Sequence, residues 1–429
     1  MKNKKVKLFC ASLVCVIFIT LVYIIFFPKQ NKYIPAIDQN IVQQVATELS
    51  ICFEAKVQIK SIAEIKGGRN LTLRLGLQSS NDALPKSVIF KQSLKEGSNQ
   101  DQDATERFSR DFASLQFVNS LQTEMPIQPH FYGGSKQFHF ILQEDLGKLH
   151  SLLETLTKEN KQKATDALTR FIISLGRLHA SSFGKTEQYF ELLKSINPDA
   201  PSEQEEQKRA LDKMIPKLEL FLKQIGMPFT KELKEEAQMV ITQAFAPGPF
   251  TVFIHGDICP DNVFDDPEHN VSRFIDFEWG AVRNALIEGT FLRMNMPTCA
   301  NAQTIPEQLL DHLEAIYRQE LIKKIPAAQI DKIYFKAYSE ACAYWLLRTG
   351  VPIAKAAWLK DDMWGKESGR SRVLSYLLTF IKVSKNHNSL PHLRAMAEEL
   401  LETIEKEWLD AKPMSDFAAF QNDFSSKKN

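Results

Sequence analysis

The stretch FIHGDICPDNVF, residues 253–264, constrains the fold of this chain more than any other, because it concentrates chemistry-bearing side chains between two apolar ends. A histidine, an aspartate and an asparagine stand there in the order H-x-D-x-x-x-x-N, at His255, Asp257 and Asn262. A further aspartate, Asp276, follows behind the apolar pair Phe-Ile. Turns rich in Asp, Asn and Pro are common, and CPDN alone would be one. The combined pattern instead predicts a loop that holds a metal and a reacting hydroxyl group.

Phosphoryl transfer from ATP is the reaction that such a loop suits. The reaction needs little covalent help from protein, but it needs a carboxylate that orients the acceptor hydroxyl and magnesium ions that neutralise the phosphates. An aspartate and an asparagine on one loop can serve these two tasks, and a second aspartate on the adjacent hairpin completes a metal site of hard oxygen ligands. Protein kinases have the same H-x-D-x-x-x-x-N spacing, followed by a metal-binding aspartate. The spacing therefore predicts a kinase.

The composition is that of an ordinary globular protein, with 44% hydrophobic and 24% charged residues. A length of 429 residues allows two or three lobes, each with its own core. The formal net charge of +1 gives no reason to expect nucleic-acid binding. The nine histidines show no metal-type spacing such as HExxH. Composition therefore indicates a globular chain without a nucleic-acid partner.

Four of the six cysteines lie beyond the amino-terminal segment and are widely separated in the sequence. They are Cys52, Cys259, Cys299 and Cys342. This spacing matches neither a disulfide framework nor a zinc-ligand pattern. We therefore expect free thiols that are buried like small apolar side chains.

The first 35 residues stand apart from the rest of the chain. Residues 8–27 read LFCASLVCVIFITLVYIIFF and contain no charge, after a start that holds four lysines. An apolar helix of this length spans about 30 Å, the thickness of the hydrocarbon core of a bilayer. The run is longer than the apolar region of most signal peptides. We therefore expect an uncleaved single-pass membrane anchor, with a cleaved signal as the alternative.

The lysines before the apolar run predict a cytoplasmic amino terminus, with the remainder of the chain on the far side of the membrane. That orientation conflicts with an ATP-dependent activity, because ATP is scarce outside the bacterial cytoplasm. The sequence leaves the side of the membrane open.

Apolar periodicity predicts an α+β fold with two lobes. Over 36–147, alternating residues flank the turn KGGRN and recur in SVIFKQSL, which predicts a small, mostly antiparallel sheet lobe. Over 148–415, apolar residues recur at three and four positions, which predicts a larger helical lobe interrupted by short strands. Residues 416–429 form a polar tail. Both lobes follow the membrane segment at 1–35, and the resemblance described next implies that the first binds the nucleotide and that the second holds the catalytic and substrate groups.

HGDICPDNVF together with FIDFEW resembles the aminoglycoside phosphotransferase and choline kinase superfamily, a branch of the protein-kinase-like fold. The resemblance extends over about 41–296 and implies a bilobal fold, ATP, magnesium and a small-molecule hydroxyl acceptor. It implies that Asp257 is the catalytic base and that Asn262 and Asp276 are magnesium ligands. It gives His255 a structural role, bracing the loop.

The resemblance also places the nucleotide phosphates against the small lobe. Gly67, Gly68 and Asn70 lie in the turn GGRN, whose backbone amides can approach phosphate without a side chain in the way. Lys91, in VIFKQ, matches the lysine that pairs with the α- and β-phosphates. Its partner on the following helix is normally a glutamate, whereas the aligned residue here is Asp111, which is one methylene shorter.

Two helix-flanking segments carry further resemblance. FILQEDLG resembles the segment that links the lobes, where backbone groups hold adenine, and it contains Gln143, Glu144 and Asp145. ISLGRLHASSF resembles the helix under the catalytic loop. We expect its His179 to be a packed or capping residue rather than a catalyst.

Two departures from the family pattern keep an alternative open. Asp111 replaces the usual glutamate, with Glu106 as a substitute in another register, and Glu288 stands where relatives usually carry a loop-bracing aspartate. These departures motivate a non-catalytic reading, in which a membrane-tethered module binds a nucleotide or an amine in the same cleft. A metal-dependent phosphoesterase fits less well, because such sites use several histidines and aspartates around two metals.

Two residues shortly after the metal-binding aspartate bear on the identity of the acceptor. In choline-kinase-like relatives the matching DFE region lies near the acceptor pocket. Glu278 and Trp279, an acid beside an aromatic ring, would suit a cationic amine such as an aminoalcohol or an aminoglycoside. The alternative is that Trp279 packs in the core and that Glu278 pairs with an arginine such as Arg283.

Overall fold

The computed structural model describes residues 39–66, 69–79, 81, 83–94, 100–121, 123–245 and 248–421. The predicted membrane anchor at 8–27, the turn glycines Gly67 and Gly68, and residues 422–429 of the polar tail lie outside the described residues. Within the described ranges, no helix is both long enough and apolar enough to span a bilayer.

The small lobe is built on a five-stranded sheet. In chain order its elements are α1 (Gln39–Cys52), β1 (Val57–Ile65), β2 (Leu71–Ser79), β3 (Ser87–Gln92), α2 (Gln100–Ser120), β4 (Phe131–Ser135) and β5 (Phe140–Glu144). The strands lie in the order β1-β2-β3-β5-β4. Every neighbouring pair is antiparallel. Three of the four pairings join strands that are consecutive in the chain, whereas β3 and β5 pair across α2 and β4.

Two sequence periods meet in the core of this lobe. In β2, Leu73 and Leu75 are buried whereas the residues beside them are not, because successive side chains of a strand point to opposite faces. In α1, Ile41, Val45 and Leu49 recur every four residues and are also buried, because that spacing keeps them on one helix face. All five belong to one apolar cluster. The helix thus packs its apolar stripe on the inner face of the sheet.

The rest of the chain is mostly helical. In chain order its elements are β6 (His150–Ser151), α3 (Leu152–Lys158), α4 (Lys161–Ser182), α5 (Thr186–Ile196), α6 (Glu203–Gln224), α7 (Lys231–Phe245), β7 (Thr251–Ile254), β8 (Val263–Asp266), β9 (Val271–Phe274), β10 (Ala281–Asn284), α8 (Leu286–Gly289), α9 (Glu307–Ile322), a 3₁₀ turn (Pro326–Gln329), α10 (Asp331–Trp345), a π-helical turn (Leu346–Gly350), α11 (Val351–Leu359), β11 (Met363–Trp364), β12 (Glu367–Ser368), α12 (Gly369–Asn386), α13 (Pro391–Glu407) and a 3₁₀ turn (Ala418–Phe420).

Short strands interrupt these helices at the sequence motif. β6, β8 and β9 form a three-stranded sheet, and β7 pairs with β10. The loop from 255 to 262 joins β7 to β8, so two small sheets hold its ends. The fold is therefore α+β, with an antiparallel amino-terminal sheet and a helical carboxy-terminal part, as the sequence pattern predicts.

Candidate active site

Two adjacent strand ends bring Asn262 and Asp276 together. Asn262 immediately precedes β8, and Asp276 follows β9 by two residues. The strands pair so that Val263 lies opposite Phe274. The backbone N–H of Ile275 donates to the carbonyl of Asn262 at 3.0 Å. An asparagine and an aspartate that are separated in sequence therefore become neighbours at one end of a hairpin.

Asp276 has a backbone conformation that most side chains avoid, with a φ of +69°. Aspartate tolerates the left-handed region better than bulky residues do, but the conformation still costs energy and persists only where its surroundings enforce it. Such outliers cluster at functional sites. The backbone at this position turns the carboxylate toward the cleft between the sheet and the helices, where Asp276 is a lining residue.

Asp257 lies beside Asn262 on the loop. The side-chain amide of Asn262 donates to the Asp257 carbonyl at 3.0 Å and to Oδ2 of its carboxylate at 3.3 Å. Because the amide nitrogen is engaged in this way, the amide oxygen is the group that Asn262 can offer to a cation. Burial raises the pKa of Asp257 to about 7, and the nearby negative charges of Asp276 and Asp261 add to the increase. A carboxyl with such a pKa can exchange a proton near neutral pH.

His255 organises the loop from below rather than facing the cleft. It is fully buried. Its Nε2 lies 2.8 Å from the carbonyl of Ile275, and its Nδ1 accepts from the backbone N–H of Asp257 at 3.2 Å. Burial lowers the pKa of His255, so the ring is neutral, with its proton on Nε2. The histidine thus joins the backbone of Asp257 to the strand that leads to Asp276, and the bracing role of His255 stays a prediction.

Gly256 allows the loop to pass close to the next hairpin. Its φ is +85°, and a β-carbon at this position would lie 2.1 Å from the carbonyl oxygen of Trp279. Both the backbone conformation and the close approach therefore require glycine between His255 and Asp257.

Glu288 braces the loop from behind. Its carboxylate accepts from the backbone N–H of His255 at 3.2 Å and from that of Gly256 at 2.6 Å. Nε2 of His179 lies 3.0 Å from Oε2 of the same carboxylate, and Nδ1 of His179 lies 2.7 Å from the hydroxyl of Tyr317. All three side chains are buried. The extra methylene of glutamate therefore does not prevent the bracing contact, and His179 is a packed residue of this network, as predicted.

Replacing Glu288 by alanine should destabilise the protein strongly. The change leaves two buried backbone N–H groups and one buried imidazole without their acceptor, and each such group costs about 1–3 kcal/mol. We therefore expect the free energy of unfolding to fall by about 3 kcal/mol or more, measured by chemical denaturation. Glu402, an exposed acid on α13, is the matched control, and Glu402→Ala should change the same quantity by less than about 0.5 kcal/mol. Equal effects of the two substitutions would contradict a bracing role.

Lys91 joins the small lobe to the loop. Its ammonium lies 2.6 Å from Oδ2 of Asp111 and also contacts the carboxylate of Asp276. Oδ1 of Asp111 accepts from the backbone N–H of Phe277 at 3.1 Å. Burial would lower the pKa of Lys91, but the carboxylates of Asp111 and Asp276 outweigh burial and raise it, so the lysine is charged. Asp111 therefore reaches the lysine in spite of its shorter side chain.

The two carboxylates beside Lys91 differ in their pKa. Burial raises the pKa of Asp111 to about 6, against the opposing effect of Lys91. For Asp276, the positive charge of Lys91 outweighs burial, and its pKa is lowered. Asp276 is thus ionised to a lower pH than Asp111, and the ionised form is the state that a cation ligand requires.

A polar cluster crosses from the small lobe to the segment after Asp276. Glu278 is only 4% exposed, and its carboxylate accepts from Arg69 at 2.9 Å and from the side-chain amide of Asn70 at 2.9 Å. The guanidinium of Arg107 lies 3.4 Å from the same carboxylate and donates to Oδ1 of Asn70 at 2.9 Å. The side chain of Asn70 is therefore occupied in fixing the turn, which leaves backbone groups as the ones that could contact phosphate.

The contacts of this cluster settle only part of the question of whether Glu278 and Trp279 face an acceptor or are engaged within the protein. Glu278 does pair with arginine, but with Arg69 and Arg107, whereas the guanidinium of Arg283 contacts Glu206. Trp279 does not pack in the core, because it is 42% exposed, with the guanidinium of Arg69 lying 5.5 Å from its ring centre. Contact of either residue with an acceptor stays a prediction.

The segment from 143 to 145 ends β5 at the junction with the helical part. Gln143 is buried. Glu144 pairs with Arg273 at 3.1 Å, and Asp145 binds Arg74 through two hydrogen bonds of 2.6 and 3.0 Å. These side chains therefore fix the segment itself, and any contact with adenine falls to its backbone groups.

One cleft gathers most of the predicted residues. It has a volume of about 700 Å³ and lies between the sheet and the helical part. Its lining includes Asn70, Lys91, Gln143, Glu144, Asp145, Asp257, Asn262, Asp276 and Glu278. His255, Asp111 and Trp279 are not among the lining residues, and Gly67 and Gly68 lie outside the described residues. Asp257, Asn262, Asp276 and Lys91 therefore face a common space of a size that suits a nucleotide.

The donor set of the cleft fits magnesium. Asn262 offers an amide oxygen and Asp276 a carboxylate, and both are hard oxygen ligands. Magnesium is usually held by one or two protein ligands together with water and substrate phosphates, so a dedicated protein cage is not required. In agreement, the described ranges contain no group of three or more His, Cys, Asp or Glu side chains arranged to hold a metal ion.

A disulfide joins Cys259 to Cys299, which shows that the prediction of free thiols is wrong for this pair. Forty positions separate the two cysteines in the sequence, and only the fold brings their Cα atoms to 5.6 Å. No local spacing signals such a pairing. Cys342 is free and buried, as predicted, whereas Cys52 is free but exposed.

Other important residues were also missed from the sequence. Arg69 and Arg107 hold Glu278, and Tyr317 supports His179. Arg69 lies within the turn GGRN, so its position next to the predicted phosphate-binding residues could have indicated a role in the site. Tyr317 lies far from every motif and carries no signal of its own.

Comparison with known proteins gives a family and several structural likenesses. The model of the phosphotransferase enzyme family (APH) matches residues 86–287. No curated protein is significantly similar to the chain in sequence. An ethanolamine kinase from Plasmodium vivax is 11% identical with a TM-score of 0.42, covering 78% of this chain and 83% of its own. A ternary complex of APH(2")-IIa with streptomycin and ATP is 13% identical with a TM-score of 0.41, covering 76% and 97%.

The choline kinase LicA from Streptococcus pneumoniae is a third structural likeness, 12% identical with a TM-score of 0.35, covering 79% of this chain and 98% of its own. Scores of this size are too low to transfer a substrate, so the assignment depends on the family model. That model spans the lysine, the catalytic loop and the metal-binding aspartate. Residues 86–287 therefore match the phosphotransferase enzyme family, and the resemblance drawn from HGDICPDNVF and FIDFEW is confirmed.

Proposed function

We propose that this protein is an ATP- and magnesium-dependent kinase that phosphorylates a hydroxyl group of a small molecule. Membership of the phosphotransferase family supports the reaction class. The observation that carries the finer proposal is the convergence of Asp257, Asn262, Asp276 and Lys91 on one cleft. Each offers the group that phosphoryl transfer from a magnesium nucleotide requires: a base, an amide oxygen, an ionised carboxylate and a cation.

The mechanism follows from what each side chain can do. Lys91 is held charged by Asp111 and supports the α- and β-phosphates. Asn262 and Asp276 would hold magnesium, which neutralises the phosphate charge when it is bound. Asp257 accepts a hydrogen bond from the acceptor hydroxyl and takes its proton late in the transfer. Positioning and charge neutralisation supply most of the rate.

The two departures from the family pattern no longer favour a non-catalytic module. Asp111 makes the ion pair with Lys91, and Glu288 braces the catalytic loop. Both positions thus perform the task that their usual occupants perform. We therefore place catalysis ahead of binding alone.

For the acceptor, we propose an aminoalcohol or an aminoglycoside. Trp279 is exposed near Asp276 in the sequence, and its ring already has the guanidinium of Arg69 at 5.5 Å, so an amine that displaced this arginine would find an aromatic face there. The carboxylate of Glu278 is already balanced by Arg69 and Arg107, so its negative charge contributes less to amine binding than an unpaired acid would. The aromatic ring rather than the acid is the stronger argument for an amine.

An acceptor screen tests the proposed function. The full chain would be incubated with ATP, Mg²⁺ and one candidate acceptor at a time. The amine candidates are choline, ethanolamine, streptomycin and kanamycin, and sugars and nucleosides serve as non-amine probes. We expect ADP release and a phosphorylated product, detected by ³¹P NMR, with at least one amine and no product when Mg²⁺ is chelated. Nucleotide binding without any product across the panel would favour the non-catalytic module. Product with sugars or nucleosides alone would contradict the amine assignment but retain the kinase.

A further inference from the structure

We propose that the disulfide between Cys259 and Cys299 is a positioning element of the active site. It ties the loop that carries Asp257 and Asn262 to the segment 298–300, and phosphoryl transfer depends on this tie. The inference rests on the proposed kinase function for its kinetic part, whereas its structural part stands on the disulfide itself.

Cys259 sits inside the catalytic loop, between the base and the asparagine ligand. Its carbonyl accepts from the backbone N–H of Asn262 at 2.8 Å. Its sulfur lies 3.3 Å from Oδ1 of Asp257 and, as part of a disulfide, has no hydrogen to donate. Cys259 and Cys299 both line the cleft that also contains Asp257, Asn262 and Asp276. A displacement of this sulfur therefore moves the backbone of both functional residues.

The other end of the disulfide is fixed to the helical part. The buried guanidinium of Arg372 donates to the carbonyl of Cys299 at 3.0 Å and to that of Ala300 at 2.7 Å. A third bond, of 2.8 Å, ties the same guanidinium to the carbonyl of Trp364. Gly365 packs so closely here that a β-carbon on it would lie 1.9 Å from the carbonyl oxygen of Ala300. The segment is thus anchored on the side away from the catalytic loop.

The backbone just before Cys299 in the sequence is also strained. Asn295 and Met296, two consecutive non-glycine residues, have φ values of +57° and +51°. Such conformations persist only where the surrounding structure enforces them. Arg372 and the disulfide both hold the residues that follow, so the loss of either leaves the position of the segment less well determined.

Reduction breaks the tie by a defined reaction. A dithiol such as dithiothreitol supplies two electrons to the disulfide, the sulfur–sulfur bond breaks, each cysteine sulfur takes up one proton, and the reagent closes to its own cyclic disulfide. Two sulfurs that are no longer bonded move apart to van der Waals distance, so the covalent tie between the two segments is lost. Small displacements of groups that orient a reaction can lower the rate by about 100-fold. Structural disulfides of this kind persist in oxidising compartments.

The experiment compares the oxidised and reduced forms of the full chain in detergent. Peptide mapping after alkylation first establishes whether Cys259 and Cys299 are linked. Hydrogen exchange of the amides at 257–262 and 298–301 is then measured with and without dithiothreitol, and turnover is measured on the same samples with ATP, Mg²⁺ and the amine panel. Cys259→Ser/Cys299→Ser provides the same comparison without a reductant. Cys52→Ser, at an exposed free thiol, is the control that should respond to dithiothreitol as the wild type does.

We expect reduction to speed hydrogen exchange in both segments and to lower kcat by about 10-fold or more. The KM for ATP should change less, because the disulfide does not tie Lys91 or the small lobe. A chain with both thiols free and full turnover would overturn the proposal, and so would a reduced chain with unchanged exchange and unchanged kcat. If exchange responds to reduction but no acceptor is phosphorylated in either form, the positioning role is supported and the kinase function is contradicted.

Discussion

Replacing Asp257 by alanine should lower kcat by about 10²–10⁴-fold, because the substitution removes the group that takes the acceptor proton. Nucleotide affinity should change little, since Asp257 contacts Asn262 through its own carbonyl as well as its carboxylate. Turnover would be measured with the best amine of the panel, and nucleotide affinity by calorimetry with a non-hydrolysable ATP analogue. Asp261→Asn, at the exposed acid of the same loop, is the control for the loss of a negative charge there. Near-normal turnover of Asp257→Ala would show that the role assignment is wrong.

The same carboxylate predicts the pH dependence of the wild type. Burial, together with Asp276 and Asp261, raises the pKa of Asp257 to about 7. The base works only in its ionised form, so kcat/KM should fall as the pH decreases below about 7. A cation bound beside the carboxylate lowers this pKa and moves the decline to lower pH. The residual activity of Asp257→Ala should lack this decline.

Replacing Asp276 by alanine should abolish magnesium-supported turnover, with kcat falling by about 100-fold or more. The reason differs from that for Asp257. The pKa of Asp276 is lowered by Lys91 against the effect of burial, so its carboxylate is ionised and available to a cation. Its removal takes away both a metal ligand and a partner of the lysine, so the KM for ATP should also rise.

The comparison of Asp276→Ala with Asp276→Asn separates these two losses. Asparagine retains an oxygen ligand but not the charge, and the Mg²⁺ concentration that gives half-maximal turnover should increase in the order wild type, Asp276→Asn, Asp276→Ala. Turnover that is independent of Mg²⁺ in the wild type, or an Asp276→Ala enzyme with an unchanged Mg²⁺ requirement, would contradict the assignment.

The catalytic loop could be predicted from the sequence because its residues are close together in the chain. His255, Asp257 and Asn262 lie on one loop, and the hairpin β8–β9 brings Asp276 to it with a register that local pairing determines. The sheet of the small lobe was predictable for the same reason, since alternation within each strand sets its buried face. Lys91 was placed correctly in the cleft because it ends the apolar run of β3.

Residues that act from a distance could not be predicted in this way. Glu288 was noted as a departure, yet its hydrogen bonds to the loop depend on α8 lying directly behind β7. The partners of Glu278 come from the β1–β2 turn and from α2, far away in the sequence. The pairing of Cys259 with Cys299 likewise depends on where the segment after α8 passes the loop. These contacts depend on tertiary packing, which the periodicity of apolar residues in the sequence does not indicate.

The most direct test of the central claim is a titration of Mn²⁺, as a substitute for Mg²⁺, into the full chain with a non-hydrolysable ATP analogue, followed by electron paramagnetic resonance of the free ion. We predict saturable binding that requires the analogue, is lost in Asp276→Ala, is weakened in Asn262→Ala and persists in Asp261→Asn. Equal binding by the wild type, Asp276→Ala and Asn262→Ala, or no nucleotide-dependent binding at all, would contradict a metal–nucleotide site at these residues.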